Sequence, residues 1–156
     1  MKVHFDSADY LIVSAENLIV SIALGRALPG MAATTLEVMK DVAASSTGKI
    51  VILAMVGTKA EAPDKELRKR FAAGVEEMAD EIALIIQYPL ATGFRGAFVR
   101  SVMTAIHFLT NSNVETCVVT SIEAAQRCAQ PHTSLSPAEI EDLIGAVQNG
   151  RVQAPK

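Results

Sequence analysis

Apolar residues fall in short runs separated by polar or glycine-containing breaks, and this pattern predicts alternating strands and helices. Tyr10–Val13 and Leu18–Leu24 flank Ser14-Ala15-Glu16-Asn17, a polar break of hairpin length. Pro29-Gly30 closes this section. Over residues 32–45, Leu36, Met39, Val42 and Ala43 then recur at helical spacing until Ser45-Ser46-Thr47-Gly48 stops the helix. Ile50–Val56 is a continuous apolar run between Gly48 and Gly57, the signature of a strand buried on both faces. After Pro63-Asp64, Leu67, Phe71, Val75 and Met78 mark a helix whose other side is charged, with Glu66 placed four residues before Arg70.

Ile82–Ile86 predicts a second buried strand, closed by Tyr88-Pro89. Gly93-Phe94-Arg95-Gly96 opens a helix reaching Thr110, with Phe98, Val102, Ala105, Ile106 and Leu109 on one side. Val114–Thr120 predicts a further strand, and Ser121-Ile122-Glu123 starts a short helix with Ile122, Ala125 and Ala129 facing inward. A polar linker then leads to Ser136-Pro137-Ala138-Glu139, which matches a capping box with proline at the first helical position. The helix it begins carries Ile140, Leu143, Ile144 and Val147 on one side and stops at Asn149-Gly150, before a loose tail over Arg151–Lys156.

The order is ββαβαβαβα plus one helix. It predicts an α/β fold: a mixed, mainly parallel sheet with a leading β-hairpin, packed helices and one appended C-terminal helix. Residues 1–130 form the expected α/β domain. Residues 131–156 supply the linker, the amphipathic helix and the tail. That helix is expected to pack on its own domain, and docking on a second copy of the chain, as a homodimer, is the alternative.

Composition narrows the class without choosing an activity. The 156 residues suit one domain, and with half of them apolar and a fifth charged the chain is not of the disordered type. A net charge of -3 gives no general electrostatic reason to bind nucleic acid. The most apolar stretch, Tyr10–Ala33, is broken by Glu16, Asn17, Arg26 and Pro29-Gly30, so no integral membrane segment is expected. The first residues lack the order of a signal peptide, and the expected compartment is the cytoplasm. Cys117 and Cys128 are too few for a disulfide framework and are read as buried reduced thiols. His4, His107 and His132 come from separate segments and are read as surface residues, so neither metal nor other cofactor is called for.

Two loops carry candidate chemistry. Gly57, Thr58 and Lys59 follow a parallel strand, where open α/β sheets place working residues, and the Thr58 hydroxyl is a candidate phosphate acceptor. An ordinary Gly-Thr loop is the alternative. Gly93, Phe94, Arg95 and Gly96 lead into a helix with Arg100 one turn on, an arrangement suited to an anion clamped by Arg95. Here the alternative is a tight turn with two surface arginines, since neither nucleotide-binding glycine pattern is present. Lys65, Arg68, Lys69 and Arg70 are diluted by neighbouring acids, and Glu76, Glu77, Asp80 and Glu81 read as a solvated helix end. No nucleophile elbow occurs.

The element order, with Gly93-Phe94-Arg95-Gly96-Ala97-Phe98-Val99-Arg100 and Thr120-Ser121-Ile122-Glu123-Ala124-Ala125, resembles the STAS domain of bacterial anti-sigma-factor antagonists. The closer likeness is to divergent stand-alone STAS-like proteins, over residues 9–130. The resemblance implies a non-enzymatic regulatory domain that binds a protein partner, such as a regulatory kinase or an anti-sigma-like factor. It also implies a phosphorylatable Ser or Thr preceded by Asp. Here Val56-Gly57-Thr58-Lys59 lacks that Asp, so only the location of Thr58 carries over. STAS-like domains also partly resemble the CRAL-TRIO lipid-binding fold. A small-molecule or lipid-binding protein, with an anionic ligand near the Gly93–Arg100 turn, is therefore the alternative expectation. An enzyme using Arg95 and Arg100 on a phosphorylated substrate is a third.

Overall fold

The strands are apolar on both sides because both faces of the sheet are covered. The computed structural model describes residues 1–108 and 112–149. Six strands lie side by side in chain order: β1 (Lys2–Asp6), β2 (Tyr10–Ala15), β3 (Leu18–Ala23), β4 (Ile50–Val56), β5 (Ile82–Pro89) and β6 (Thr116–Val118). The pairs β1–β2 and β2–β3 are antiparallel, and the remaining three are parallel. With helices α1 (Met31–Ser45), α2 (Lys65–Glu77), α3 (Gly93–Phe108), α4 (Ile122–Ala129) and α5 (Pro137–Gln148), the fold is α/β with a mixed, mainly parallel sheet.

Strands laid down in one direction by right-handed crossovers keep their connecting helices on one face. Met31, Val38, Met39 and Val42 of α1, with Phe71 and Val75 of α2, pack over Tyr10, Ile12, Ile19, Ile50, Ile52 and Ile82. The helix α3 joins this layer beside α2 and β5. The opposite face presents Val13, Val20, Leu53 and Ile86 to Ala125 and Ala129 of α4 and to Ile140, Leu143, Ile144 and Val147 of α5. Those four α5 side chains are buried, so the last helix completes the core of its own chain.

Helix starts follow local chemistry. Asp64 Oδ1 accepts the Leu67 N–H at 2.8 Å at the start of α2, and Ser121 Oγ accepts from Ala124 N–H at 3.2 Å ahead of α4. At α5 the box is reciprocal: Ser136 Oγ accepts from Glu139 N–H, and Glu139 Oε2 accepts from Ser136 N–H at 2.8 Å.

The structure adds detail that the apolar runs did not carry. Strand β1 precedes the expected first element; it has only Val3 and Phe5 as apolar residues and is bulged at His4, where Val3 faces Val13 but Phe5 faces Ile12. The hairpin loop is Glu16-Asn17 alone, because pairing continues to Ala15 and Leu18. Glu16 has a φ of 49° to close so short a turn. Tyr88 and Pro89 belong to β5 rather than closing it, as Val56 still pairs with Pro89. Strand β6 covers three residues of the expected stretch, paired with Ile85–Gln87. Leu109, Thr110, Gly150 and the tail over 151–156 lie outside the described residues, as do the side chains of Ala105 and His107.

The turn between β2 and β3 is tied to two distant segments. Asn17 Nδ2 donates to the carbonyls of Lys49 (2.7 Å) and His132 (2.8 Å), while Val51 N–H donates to Asn17 O at 2.9 Å. One end of the sheet is thus joined to the start of β4 and to the segment between α4 and α5.

His4 is half-buried rather than on the surface, with Nε2 2.7 Å from Ser14 Oγ. Burial foremost, then Lys2, lowers its pKa below the ordinary 6.5, against an upward pull from Asp41. The unfolded chain therefore binds more protons just below 6.5 than the folded one does. This part of the stability is present at neutral pH and lost as pH falls from 6.5 towards the lowered folded value. Urea denaturation at about pH 5 and about pH 8 is expected to show a smaller difference in His4→Gln than in the unsubstituted protein. An equal difference in both would remove His4 from the account.

Candidate ligand-binding cavity

Side chains from neighbouring strands stand in rows across each face of a sheet. On the face covered by α1, α2 and α3, Ile19, Ile52 and Ile85 make one row and fill it. The next row, towards the carboxyl ends of the parallel strands, is Ser21, Ala54 and Gln87, and beyond it stand Ala23 and Val56. These side chains are too short, or too polar, to fill the space that the isoleucines fill one row earlier. On the opposite face the corresponding positions are full, with Val20, Leu53 and Ile86 in one row and Ile22, Met55 and Tyr88 in the next. The helices bridge the hollow without collapsing into it, and a cavity of about 510 Å³ results.

Its walls are mostly apolar: Met31 and Met39 from α1, Leu67 and Phe71 from α2, Val99 and Met103 from α3. The volume falls within the ~300–1,000 Å³ usual for small-molecule sites. Polar groups in the wall are held. Thr35 Oγ1 donates to the Met31 carbonyl at 2.8 Å, which leaves its oxygen to accept from the Tyr10 hydroxyl, also at 2.8 Å. Ser21 lines the cavity beside it. Burial, set against the bond to Thr35, raises the Tyr10 pKa, so the ring enters the cavity as a neutral phenol. Gln87, buried on β5, reaches the Met103 carbonyl at 3.5 Å.

Charge is confined to the mouth, at the carboxyl ends of β3, β4 and β5. The charged residues that line the cavity are Arg26, Lys59, Glu61 and Arg95: three cations and one anion in a chain whose net charge is -3. Arg26 is paired with Asp9 at 3.4 Å. Among the described residues neither Lys59 nor Arg95 has a carboxylate within ion-pair distance; Arg95 Nη2 instead donates to the Ala60 carbonyl at 2.7 Å. That bond brings together the two loops singled out in the sequence.

Of the residues in those loops, Lys59 and Arg95 line the cavity, and Gly57, Thr58, Gly93, Phe94, Gly96 and Arg100 do not. Gly57 is buried at the end of β4, its N–H donating to the Ala23 carbonyl at 2.8 Å; a Cβ there would stand 2.9 Å from that oxygen. Thr58 is exposed beside it. Gly93 opens α3 with a φ of 63°, and Gly96 sits where a Cβ would run into the Ala91 carbonyl. Phe94 is 91% exposed, and Arg100 is partly exposed two turns into α3. Sequence reasoning passed over Tyr10, Ser21, Thr35, Gln87 and Arg26. Ser21 and Gln87 left a signal, since each is a polar residue within a buried apolar strand.

Away from the cavity, Cys117 and Cys128 are partly buried free thiols. Burial, and then the adjacent Cys128, pushes the Cys117 thiol up to about 12, which keeps it protonated and a poor nucleophile. Among the described residues no His, Cys, Asp and Glu side chains group in threes as a metal site, and no helix is long and apolar enough to cross a membrane. No family model matches the chain, and neither does any curated protein or solved structure.

Ala54 is the centre of the hollow row, so enlarging it tests whether the space is a packing defect. Ala54→Leu is expected to raise stability by about 0.5–2 kcal/mol in urea denaturation, as cavity filling commonly does. Destabilisation would mean that the helices already use that volume.

Proposed function

We propose that the protein binds an anionic amphiphile, its apolar body lying between the sheet and α1–α3 and its charged head at Lys59 and Arg95. The carrying observation is the pairing of a cavity with apolar walls and a mouth where Lys59 and Arg95, neither held by a carboxylate among the described residues, outnumber Glu61. A long apolar chain gains by leaving water for such walls, at roughly 25 cal/mol per Å² buried. A carboxylate or phosphate head would meet a lysine and an arginine that spend no energy in separating from a carboxylate of their own. A hydrophobic pocket with few oriented polar groups supports binding, whereas a reaction needs convergent acid, base or nucleophile groups. On this reading the α/β fold serves as the container for the ligand.

Lys59→Glu/Arg95→Glu is expected to weaken oleate binding by roughly tenfold or more, as the loss of charge-assisted bonds implies. Titration followed by native mass spectrometry would measure it, with Ala54→Leu blocking uptake altogether. Equal binding by the parent protein and both variants, or none by any of them, would overturn the reading.

A second reading keeps the regulatory, partner-binding role implied by the STAS resemblance, and one observation favours it. Thr58 is exposed on the loop that carries Lys59, so a phosphate there would put negative charge at the cationic mouth. On this reading Thr58→Asp lowers oleate affinity several-fold while Thr58→Ala leaves it unchanged. Identical titrations for the two variants would separate Thr58 from the cavity.

A further inference from the structure

Large apolar side chains left in water are few among the described residues, and two of them stand together. Phe94 is 91% exposed and Phe98 is 53% exposed. They are four residues apart on α3, hence one turn apart on one side of the helix. Phe98 also lines the cavity, so its ring borders the interior on one side and solvent on the other. Phe94 stands one turn closer to the mouth, next to Arg95.

The charge around this pair has one sign on the helix itself. From Gly93 to Phe108, α3 contains Arg95 and Arg100 and no acidic residue. Lys59 lies across the mouth, where Arg95 is bonded to the Ala60 carbonyl, and Glu61 is the acid that shares the cavity lining with them. Exposed aromatic rings beside unpaired cations complement a surface with an apolar interior and an anionic face. A bilayer containing acidic lipids is such a surface, since its negative surface potential attracts basic residues held near it.

We infer that the Phe94–Phe98 side of α3 docks on an anionic bilayer and presents the cavity mouth to the lipid. The rings enter the headgroup boundary, while Arg95 and Lys59 meet the acidic headgroups. What passes through the mouth rests on the amphiphile-binding reading; the docking itself does not. A sparingly soluble ligand would then move between bilayer and cavity without crossing water.

The chain contains no tryptophan, so Phe94→Trp places a single reporter on this face of the whole chain. Vesicles of roughly three parts phosphatidylcholine to one part phosphatidylglycerol are expected to shift its emission to the blue, and salt is expected to reverse the shift. Vesicles of phosphatidylcholine alone are expected to do much less. Phe94→Glu is expected to reduce co-sedimentation with the acidic vesicles by roughly tenfold or more, since a buried phenyl ring is lost. Phe94 does not line the cavity, so Phe94→Glu should still take up oleate from solution in native mass spectrometry. Ala54→Leu provides the converse: failure of the cavity reading would leave its vesicle binding intact. Docking is overturned if F94W emission ignores both vesicles and Phe94→Glu sediments like the parent protein. It is equally overturned if the emission shifts with protein concentration in the absence of lipid, which would assign the face to a second copy of the chain.

Discussion

The register of three neighbouring parallel strands governs the cavity. Ser21, Ala54 and Gln87 are side by side because Ser21 pairs with Ala54 and Ala54 with Gln87. A slip of one residue in any strand would turn its isoleucines to the opposite face and leave the row broken. That register is itself enforced by burial: the isoleucine row next to it and the full rows on the other side fix which residues face which layer. The empty space is thus held open by the packing on both sides of it, and the helices above rest on the filled row.

Much of the fold is legible in the linear pattern, and the reason is physical. Runs such as Ile50–Val56 are apolar throughout because helices cover both faces, and Ser136 with Glu139 announces a helix start through the bonds they make. Strand β1 is less legible, since five residues with two apolar positions resemble many unstructured ends. The cavity is hidden for a different reason. Its floor is a relation between residues on three strands, each unremarkable by itself: a serine among aliphatics, an alanine, a glutamine. Glycine and arginine at Gly93–Arg100 drew attention to the mouth, but nothing in that stretch describes the hollow behind it.

The electrostatic pattern follows the same division between local and distributed signals. A chain that is acidic overall would suggest an indifferent or cation-seeking surface, yet at the cavity mouth Glu61 is outnumbered by Arg26, Lys59 and Arg95. Glu77 is spent on Lys40 at 2.6 Å, Glu66 on Arg70 at 3.6 Å, and Asp9 on Arg26, while Lys59 and Arg95 are left to face the mouth. Which charges are neutralised matters more here than how many there are.

The bonds made by Asn17 give the molecule a mechanical polarity. They fasten the hairpin turn to the start of β4 and to the segment before α5, all at the pole of the sheet where the parallel strands begin. The mouth lies at the other pole, where the bond from Arg95 to the Ala60 carbonyl clasps the two loops. Any guest entering the cavity would have to pass this clasp, at the pole opposite the Asn17 bonds.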